Sequence, residues 1–501
     1  MRSRSGEKAR SDHPRLVTYL AFAAAFGLII FLSHVPCLHL PYFWDEMGQF
    51  IPAALDIFHD NSWIPHSTTP NVHPPGVMAW LALVWKIAGY SIEATRVAML
   101  LIATATALAV FLLAIQLCRR LPGAPAFSAA ALLLASPLFY SQAMLAQLDM
   151  PAMLFTAMAL LFFLQDRFRA SALACIALVL TKETGVLLPV VFGIWLLRER
   201  RAREAVWYAA PIIALGAWLL LLQRGTGNLL GNQEFAHYNL FFPLHPARLS
   251  VSLFRRFYYV FVDNFHWIGT VAIVMAWKRT GIFRERAWAV TATILFAHLL
   301  LVSVLGGATL ERYLLPVIPL FYIAVGAAWS SMIKPWRTVS QYAMVAGLMA
   351  GLFWNPPWPF PFENNLAVVD FIKLHRDAAE FVEATYPNDT IVSAWPFPDA
   401  LRRPEFGYVT RPMKTEGIED FHFDRVAALR NKGVKVLVLY SRTWEPGVSL
   451  LQLPMIKRFL EKYYFYDRQI SSDEIREQLG LTSVARYSRR GQWIEIYSDE
   501  R

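Results

Sequence analysis

The chain has 501 residues, of which 56% are apolar, 14% aromatic and only 17% charged, with a mean hydropathy of +0.37. That balance excludes a disordered chain, a small disulfide-rich secreted domain and an ordinary soluble enzyme, and it fits a polytopic helical membrane protein. The formal charge of +10 is no polynucleotide signal: residues 1–354 hold 27 Lys and Arg against 16 Asp and Glu, whereas residues 355–501 hold 20 against 21, so no basic domain is available to nucleic acid. Cys37, Cys118 and Cys175 are too few and too scattered for a disulfide framework or a zinc site, and packing roles are expected for them.

In chain order, five cations precede an uncharged run from Leu16 to Val35 that no convincing small-residue cleavage site follows, which predicts a retained signal anchor. Further spans are expected at Val97–Cys118, Ala124–Ala143, Pro151–Gln165, Ala170–Thr181, Thr184–Leu197, Ala205–Leu222, Trp267–Trp277, Ala287–Leu305, Tyr313–Ser330 and Thr338–Trp354, eleven in all. This parsing puts 19 of the 27 cations on one face, and Lys and Arg are retained on the cytoplasmic side. The N-terminus is therefore expected in the cytoplasm. The apolar stretch Gly76–Trp85 covers roughly 15 Å, half the ~30 Å hydrocarbon core, and is expected to lie at the outer surface after Pro74-Pro75. Lys182-Glu183 divides residues 170–197 into two short helices, which places both side chains below the outer surface in a polar cavity.

After Trp354 a Pro-rich linker, NPPWPFPFENN, leads into residues of ordinary soluble composition. The expected division is a transmembrane domain over 1–354 and an extracytoplasmic α/β domain over 355–501. Within the latter, helices are predicted at Leu366–Tyr386, Phe423–Lys432 and Leu453–Tyr464, and strands at Thr390–Ala394, Lys435–Tyr440 and Ile494–Tyr497.

Ionisable groups cluster on the outer side. Asp45-Glu46 stand in PYFWDEMGQF, before apolar positions at helical spacing, and Asp149 stands in AQLDMPAMLF at the start of a span. Asp45 is as readable as a cap of the surface helix, and for Asp149, which stands before Met-Pro, the cap reading is the stronger one. As a pair they suit acid–base chemistry in which one carboxylate takes a proton from an attacking hydroxyl while the other orients the acceptor or binds a cation. The cationic groups are His73 in NVHPPG, Lys182 in LTKETG, Arg255-Arg256, and Arg312 beside Tyr313 in ERYLLP. Snorkelling explains Arg312, and pairing with Glu183 explains Lys182, equally well. Together these groups form a positive set that suits the phosphate of a lipid-borne substrate.

The order YFWDEMGQF, HPPGVMAWLALVWKIAGYSIEATR, LAQLDMPAMLF, LTKETG and ERYLLPVIP resembles the GT-C membrane glycosyltransferases, especially the protein O-mannosyltransferases and the lipid A aminoarabinose transferases, over residues 16 to about 330. The resemblance implies transfer of a sugar from a polyprenyl-phosphate carrier to a hydroxyl on a lipid, glycan or protein, on the extracytoplasmic face of a membrane, for which a bacterial inner membrane is expected. It implies Asp45 as general base and Asp149 as the second acidic residue, with Glu46 beside them. His73, Lys182, Glu183, Arg312 and Tyr313 are then the carrier-phosphate set. His73 stands where the aminoarabinose transferases look to have a phosphate-contacting lysine, which shifts that role toward Lys182 and Arg312. Some relatives bind a divalent metal near these acids. The conceivable ligands here are Asp45, Glu46, His73, Glu234 and His237, and a metal cofactor is left open. The loop 223–266, with Tyr238, Phe241, Phe242, Tyr258 and Tyr259, is a candidate cover for the sugar or an interfacial anchor. The competing readings are a secondary transporter, which needs paired broken helices in two halves, and a non-catalytic scaffold.

Overall fold

A computed structural model describes residues 6–444, 453–464, 466 and 468–499, with side chains from residue 17 onward in the first helix. All five N-terminal cations on which the sidedness expectation draws lie outside the described side chains. Every stretch expected to span is helical. Among the described residues, four helices are long and apolar enough to cross a membrane: Val17–Cys37, Ile92–Leu117, Ala202–Thr226 and Arg286–Val304. Pro246–Phe261 and His266–Arg279 form a bent pair, at 81°, that makes a fifth if it acts as one span. The chain is an integral membrane protein on that basis. Five further apolar helices are shorter: Gly76–Ala88, Pro125–Ala135, Asp149–Leu164, Phe168–Thr181 and Ile318–Ser330.

Local chemistry explains the shortness of two of them. The expected span Ala124–Ala143 is broken at Ser136-Pro137, because proline cannot donate into the preceding turn, and a separate helix Pro137–Gln142 begins there. The stretch 170–197 breaks at Lys182, whose backbone is extended, and resumes through the 3-10 turn Glu183–Val186 into Leu187–Arg198. Ser91 caps the central helix Ile92–Leu117 by accepting from the Ala94 N–H at 3.0 Å. That helix packs between the N-terminal helix and Asp149–Leu164, and Cys37, Cys118 and Cys175 are buried free thiols.

Beyond residue 390 lies a five-stranded sheet of order β2-β1-β3-β5-β4: β1 Ile391–Ala394, β2 Thr415–Ile418, β3 Val436–Tyr440, β4 Thr482–Arg489 and β5 Gln492–Ser498. β1 runs parallel to β2 and β3, while β5 is antiparallel to both β3 and β4. β3 is buried along its whole length, as its unbroken VLVLY run requires. Helix Ala367–Thr385 packs on the β4–β5 hairpin. The expected helix at 423–432 is shorter and tightens to 3-10 geometry after Ala427.

The sheet region is docked on the helical region. The Tyr42 N–H donates to Phe406 O at 3.2 Å, Tyr408 Oη donates to Tyr42 O at 2.8 Å, and Tyr90 Oη donates to Glu405 O at 2.6 Å. The segment expected as a linker also takes part: Phe362–Asn364 forms a 3-10 turn whose Glu363 is buried against helix Pro137–Gln142.

Helix Ile318–Ser330 lies so close to Pro125–Ala135 that a Cβ on Gly326 would meet Pro125 O at 2.7 Å. Gly326→Ala should cost about 1–3 kcal/mol by overpacking. Gly216→Ala, which meets nothing within 4 Å, should be neutral or gain roughly 0.5–1 kcal/mol from helix propensity. Thermal unfolding of the two detergent-purified variants should shift in these different directions.

Candidate active site

A buried ion pair sets the backbone on which the site is built. Arg96, an isolated charge in an otherwise apolar helix face, is fully buried. Its Nη1 donates to Glu46 Oε1 at 2.5 Å and to Met144 O at 3.1 Å, and its Nη2 donates to Leu40 O, Pro41 O and Glu46 Oε2 at 3.2, 2.9 and 3.2 Å. Glu46 in turn accepts the Phe43 N–H at 2.7 Å and the Ala146 N–H at 2.6 Å. The pair therefore ties the loop carrying Asp45 to the loop leading into Asp149. Grouped by sequence with the catalytic carboxylates, Glu46 is an organising residue instead: it is fully buried and both oxygens are committed to donors.

Trp44, just before Asp45, takes a left-handed backbone conformation with φ 39°, uncommon for a bulky residue. Its ring is held edge-on by Trp395 at 5.0 Å and Phe371 at 5.6 Å. Asp45 then precedes a π-helical turn, Glu46–Phe50, and makes no side-chain cap bond. Asp149 begins helix Asp149–Leu164 behind Leu148, and no side-chain cap bond forms there either. Neither aspartate is a cap.

Both point instead to Arg312. Its Nη2 is bonded to Asp45 Oδ2, its Nη1 reaches Glu363 Oε2 at 3.1 Å, and its Nε lies 3.5 Å from Asp149 Oδ2. Asp149 Oδ1 accepts from Lys182 Nζ at 2.5 Å. Lys182 is thus paired with Asp149 and not with its neighbour Glu183. Asp45 is the most accessible carboxylate of the group, its side chain 16% exposed against 4% for Asp149 and 5% for Glu363.

Tyr313 sits among the cations: Lys182 Nζ lies 4.4 Å from its ring centre, and the guanidinium carbons of Arg256 and Arg312 lie 5.4 and 5.6 Å away. Arg256 is 1% exposed and bonds Leu310 O through Nη1, while its Nε and Nη2 are buried with no partner among the described residues. Arg255 pairs with Glu311 at 2.6 Å, and Asn364 Nδ2 donates to the other Glu311 oxygen at 3.0 Å.

His73 is drawn to the other side of the Lys182-Glu183 break, with Nδ1 2.9 Å from Glu183 Oε2. The backbones approach closely here, since a Cβ on Gly76 would meet Leu180 O at 2.5 Å. The five conceivable metal ligands form no group with ligand atoms within 4.8 Å of one another among the described residues: Glu46 is committed to Arg96, Asp45 to Arg312 and His73 to Glu183, while Glu234 and His237 stand on helix Gln233–Leu240, whose Phe235 ring lies 5.6 Å from that of His73. The residues do not fit a metal at this point. Among the described residues, the grouping whose ligand atoms lie within 4.8 Å of one another is Asp56, Asp60 and His66, elsewhere in the first loop.

Sequence reading missed Glu363 and the role of Arg96. A single carboxylate within an aromatic and proline run was the signal for the first, and one arginine within a long apolar helix for the second. Arg96→Met should destabilise the protein by about 3–5 kcal/mol, because it strands a buried carboxylate. Adding Glu46→Gln should recover part of that loss, read as the unfolding temperature in detergent.

No protein-family model matches the sequence, and no curated protein matches it significantly. Solved structures do. ArnT from Cupriavidus metallidurans in the apo state aligns over 97% of this chain and 98% of its own, with 15% identity and a TM-score of 0.55. The same protein bound to undecaprenyl phosphate aligns over 96% and 98%, with 14% identity and a TM-score of 0.53. The oligosaccharyltransferase AglB from Archaeoglobus fulgidus, in complex with an inhibitory peptide and a dolichol-phosphate, aligns over 97% of this chain and 75% of its own, with 10% identity and a TM-score of 0.50. The chain therefore has the GT-C fold shared by ArnT and AglB, across its helical region and its C-terminal sheet alike.

Proposed function

We propose that this protein is a membrane glycosyltransferase that moves a sugar from a polyprenyl-phosphate carrier to a hydroxyl of a lipid, glycan or protein acceptor. In this reading residues 1–354 form a membrane domain of eleven crossings, several of them short. Residues 355–501 form a domain on the extracytoplasmic side, where the site opens, and the membrane is a bacterial inner membrane. The observation that carries the reading is Arg256: a buried guanidinium with two nitrogens unpartnered among the described residues, beside Tyr313 and Lys182. Buried donors without acceptors are costly, and a phosphate supplies what they lack. The shared fold with an undecaprenyl-phosphate-bound and a dolichol-phosphate-bound protein agrees with that ligand class.

The chemistry follows from how the charges are shared. A phosphate arriving at Lys182, Arg256 and Arg312 competes with the carboxylates that now hold Arg312. Asp45, the accessible one, is released to take the proton of the acceptor hydroxyl. The hydroxyl oxygen attacks the anomeric carbon, the bond from that carbon to the phosphate oxygen breaks, and polyprenyl phosphate leaves with the electron pair. The three cations stabilise the charge that grows on the leaving oxygen. Asp149 orients Lys182 and Arg312, and the His73–Glu183 pair fixes the turn that presents Lys182. Segment 223–266 covers the sugar: its Asn239 already bonds Gly306 and Gly307 next to the Glu311–Tyr313 turn.

Detergent-purified protein given a panel of polyprenyl-phosphate sugars, with membrane extract as acceptor source, should release polyprenyl phosphate. Asp45→Asn should lower the rate about 10²–10⁴-fold with carrier binding retained, and Arg256→Ala should weaken carrier binding about tenfold or more. Wild-type transfer by Asp45→Asn would remove the base assignment. Absence of release from every donor would turn the reading toward transport.

A further inference from the structure

The turn that begins the C-terminal region places a carboxylate in the middle of the site. Glu363 is anchored twice through its backbone oxygen, which accepts from Ser141 Oγ at 2.6 Å and Gln142 Nε2 at 3.2 Å. Its side chain lies against Arg312 at 3.1 Å and is 5% exposed. Four cations, Lys182, Arg255, Arg256 and Arg312, face four carboxylates, Asp45, Asp149, Glu311 and Glu363. The set is formally neutral before any ligand enters. A bound phosphate adds at least one negative charge in a desolvated place, where an uncompensated charge is expensive.

We propose that Glu363 takes up a proton when the donor's phosphate binds, so that carrier recognition and protonation of this residue are one event. This rests on the donor class proposed above. Glu363 is singled out by how each carboxylate is held. Asp149 keeps Lys182, and Glu311 keeps Arg255 and Asn364. Asp45 is partly exposed, so water supports its charge. Glu363 has Arg312 as its one ion-pair partner among the described residues, and a phosphate draws on that same arginine.

One acceptor oxygen of Glu363 and one of its neighbour Gln147 lack a donor among the described residues. Among the described residues Glu363 Oε1 is buried without a partner, and so is Oε1 of Gln147, whose Nε2 reaches Glu363 Oε2 at 3.5 Å. One proton on Glu363 supplies the donor this pair is missing. The groups facing Glu363 are Arg312 and Asp45, Asp149 and Gln147 at the start of helix Asp149–Leu164, and Ser141 and Gln142 of the preceding helix. From helix Ala367–Thr385 the neighbour is apolar, Phe371 stacking on Phe362 at 5.1 Å. Burial, which outweighs the opposing pull of Arg312, already pushes the Glu363 carboxyl up to about 7. Diverting Arg312 toward a phosphate removes that pull and raises it further. Uptake is therefore largest just above neutral pH, where the free site holds Glu363 ionised, and vanishes at acidic pH, where the proton is already present.

The test is calorimetric titration of undecaprenyl phosphate into the detergent-purified full chain at about pH 8, one unit above the free-site value, in two buffers of different ionisation enthalpy. Wild type should take up about one proton per carrier bound, with affinity falling up to tenfold per pH unit above neutrality. Glu363→Gln should bind with roughly no uptake and a flattened pH profile, and Glu363→Asp, which keeps a carboxyl in the same turn, should restore uptake. Carrier binding without uptake in wild type, or equal uptake in Glu363→Gln, overturns the inference and leaves the proposed function standing. No binding by wild type overturns the donor class and the inference together.

Discussion

The site depends on one buried ion pair that does no chemistry. Arg96 and Glu46 are both fully buried, and between them they engage five backbone groups of two loops distant in sequence. An apolar pair of the same size would fill the space equally well, and buried ion pairs are often no more stabilising than such a pair. What it would not do is bond the irregular backbone at residues 40–46 and 144–146. That backbone turns away from helical geometry to bring Asp45 and Asp149 to one arginine, and its polar groups need partners inside the protein.

Beyond that staple the charges form a set joined through Arg312, the one cation among them with several carboxylate partners in the described residues. Arg312 divides its donors among three chain segments: the first loop, the start of helix Asp149–Leu164 and the turn after residue 360. Such sharing keeps the residues buried and ordered, and it makes the set responsive, since a ligand that draws on Arg312 loosens Asp45, Asp149 and Glu363 at once. Lys182 and Tyr313 hold the set laterally, and Arg256 enters with donors to spare.

The helical character of residues 16–354, the break at Lys182-Glu183, the strands KVLVLY and IEIY, and Asp45, Asp149, Lys182 and Tyr313, which the fold gathers with Arg312, were legible in the sequence, because each rests on a local pattern: an apolar run, a charge where none is tolerated, a buried β-branched strand. Glu46 was misplaced because adjacency to Asp45 looked like a carboxylate pair, and only the fold reveals that successive residues at a π-helical turn face different surroundings. Pairing of Lys182 with Glu183 is the bland alternative that adjacency offers, yet each reaches away from the other, to Asp149 and His73. Strands β2 and β4 escaped notice because TEGI and TSVARYSR carry little apolar surface and lie at the two edges of the sheet. Glu363 was hidden in what composition marks as a connector.

The loop bearing Asp45 is not shaped by the helical region alone. Trp395 and Phe371 hold Trp44 in its left-handed turn, Phe406 and Tyr408 bond Tyr42, and a side chain on Gly48 would collide with Trp395. The two regions differ in composition and architecture, yet they are not interchangeable parts. A hybrid joining the helices of this chain to the sheet region of a distant relative would carry nearly every charged side chain of the cluster and still lack the surface against which the first loop is moulded. Drift at 44 and 48 on one side and at 371, 395 and 406 on the other is therefore constrained to occur in concert, and the heritable unit of this site is the whole chain.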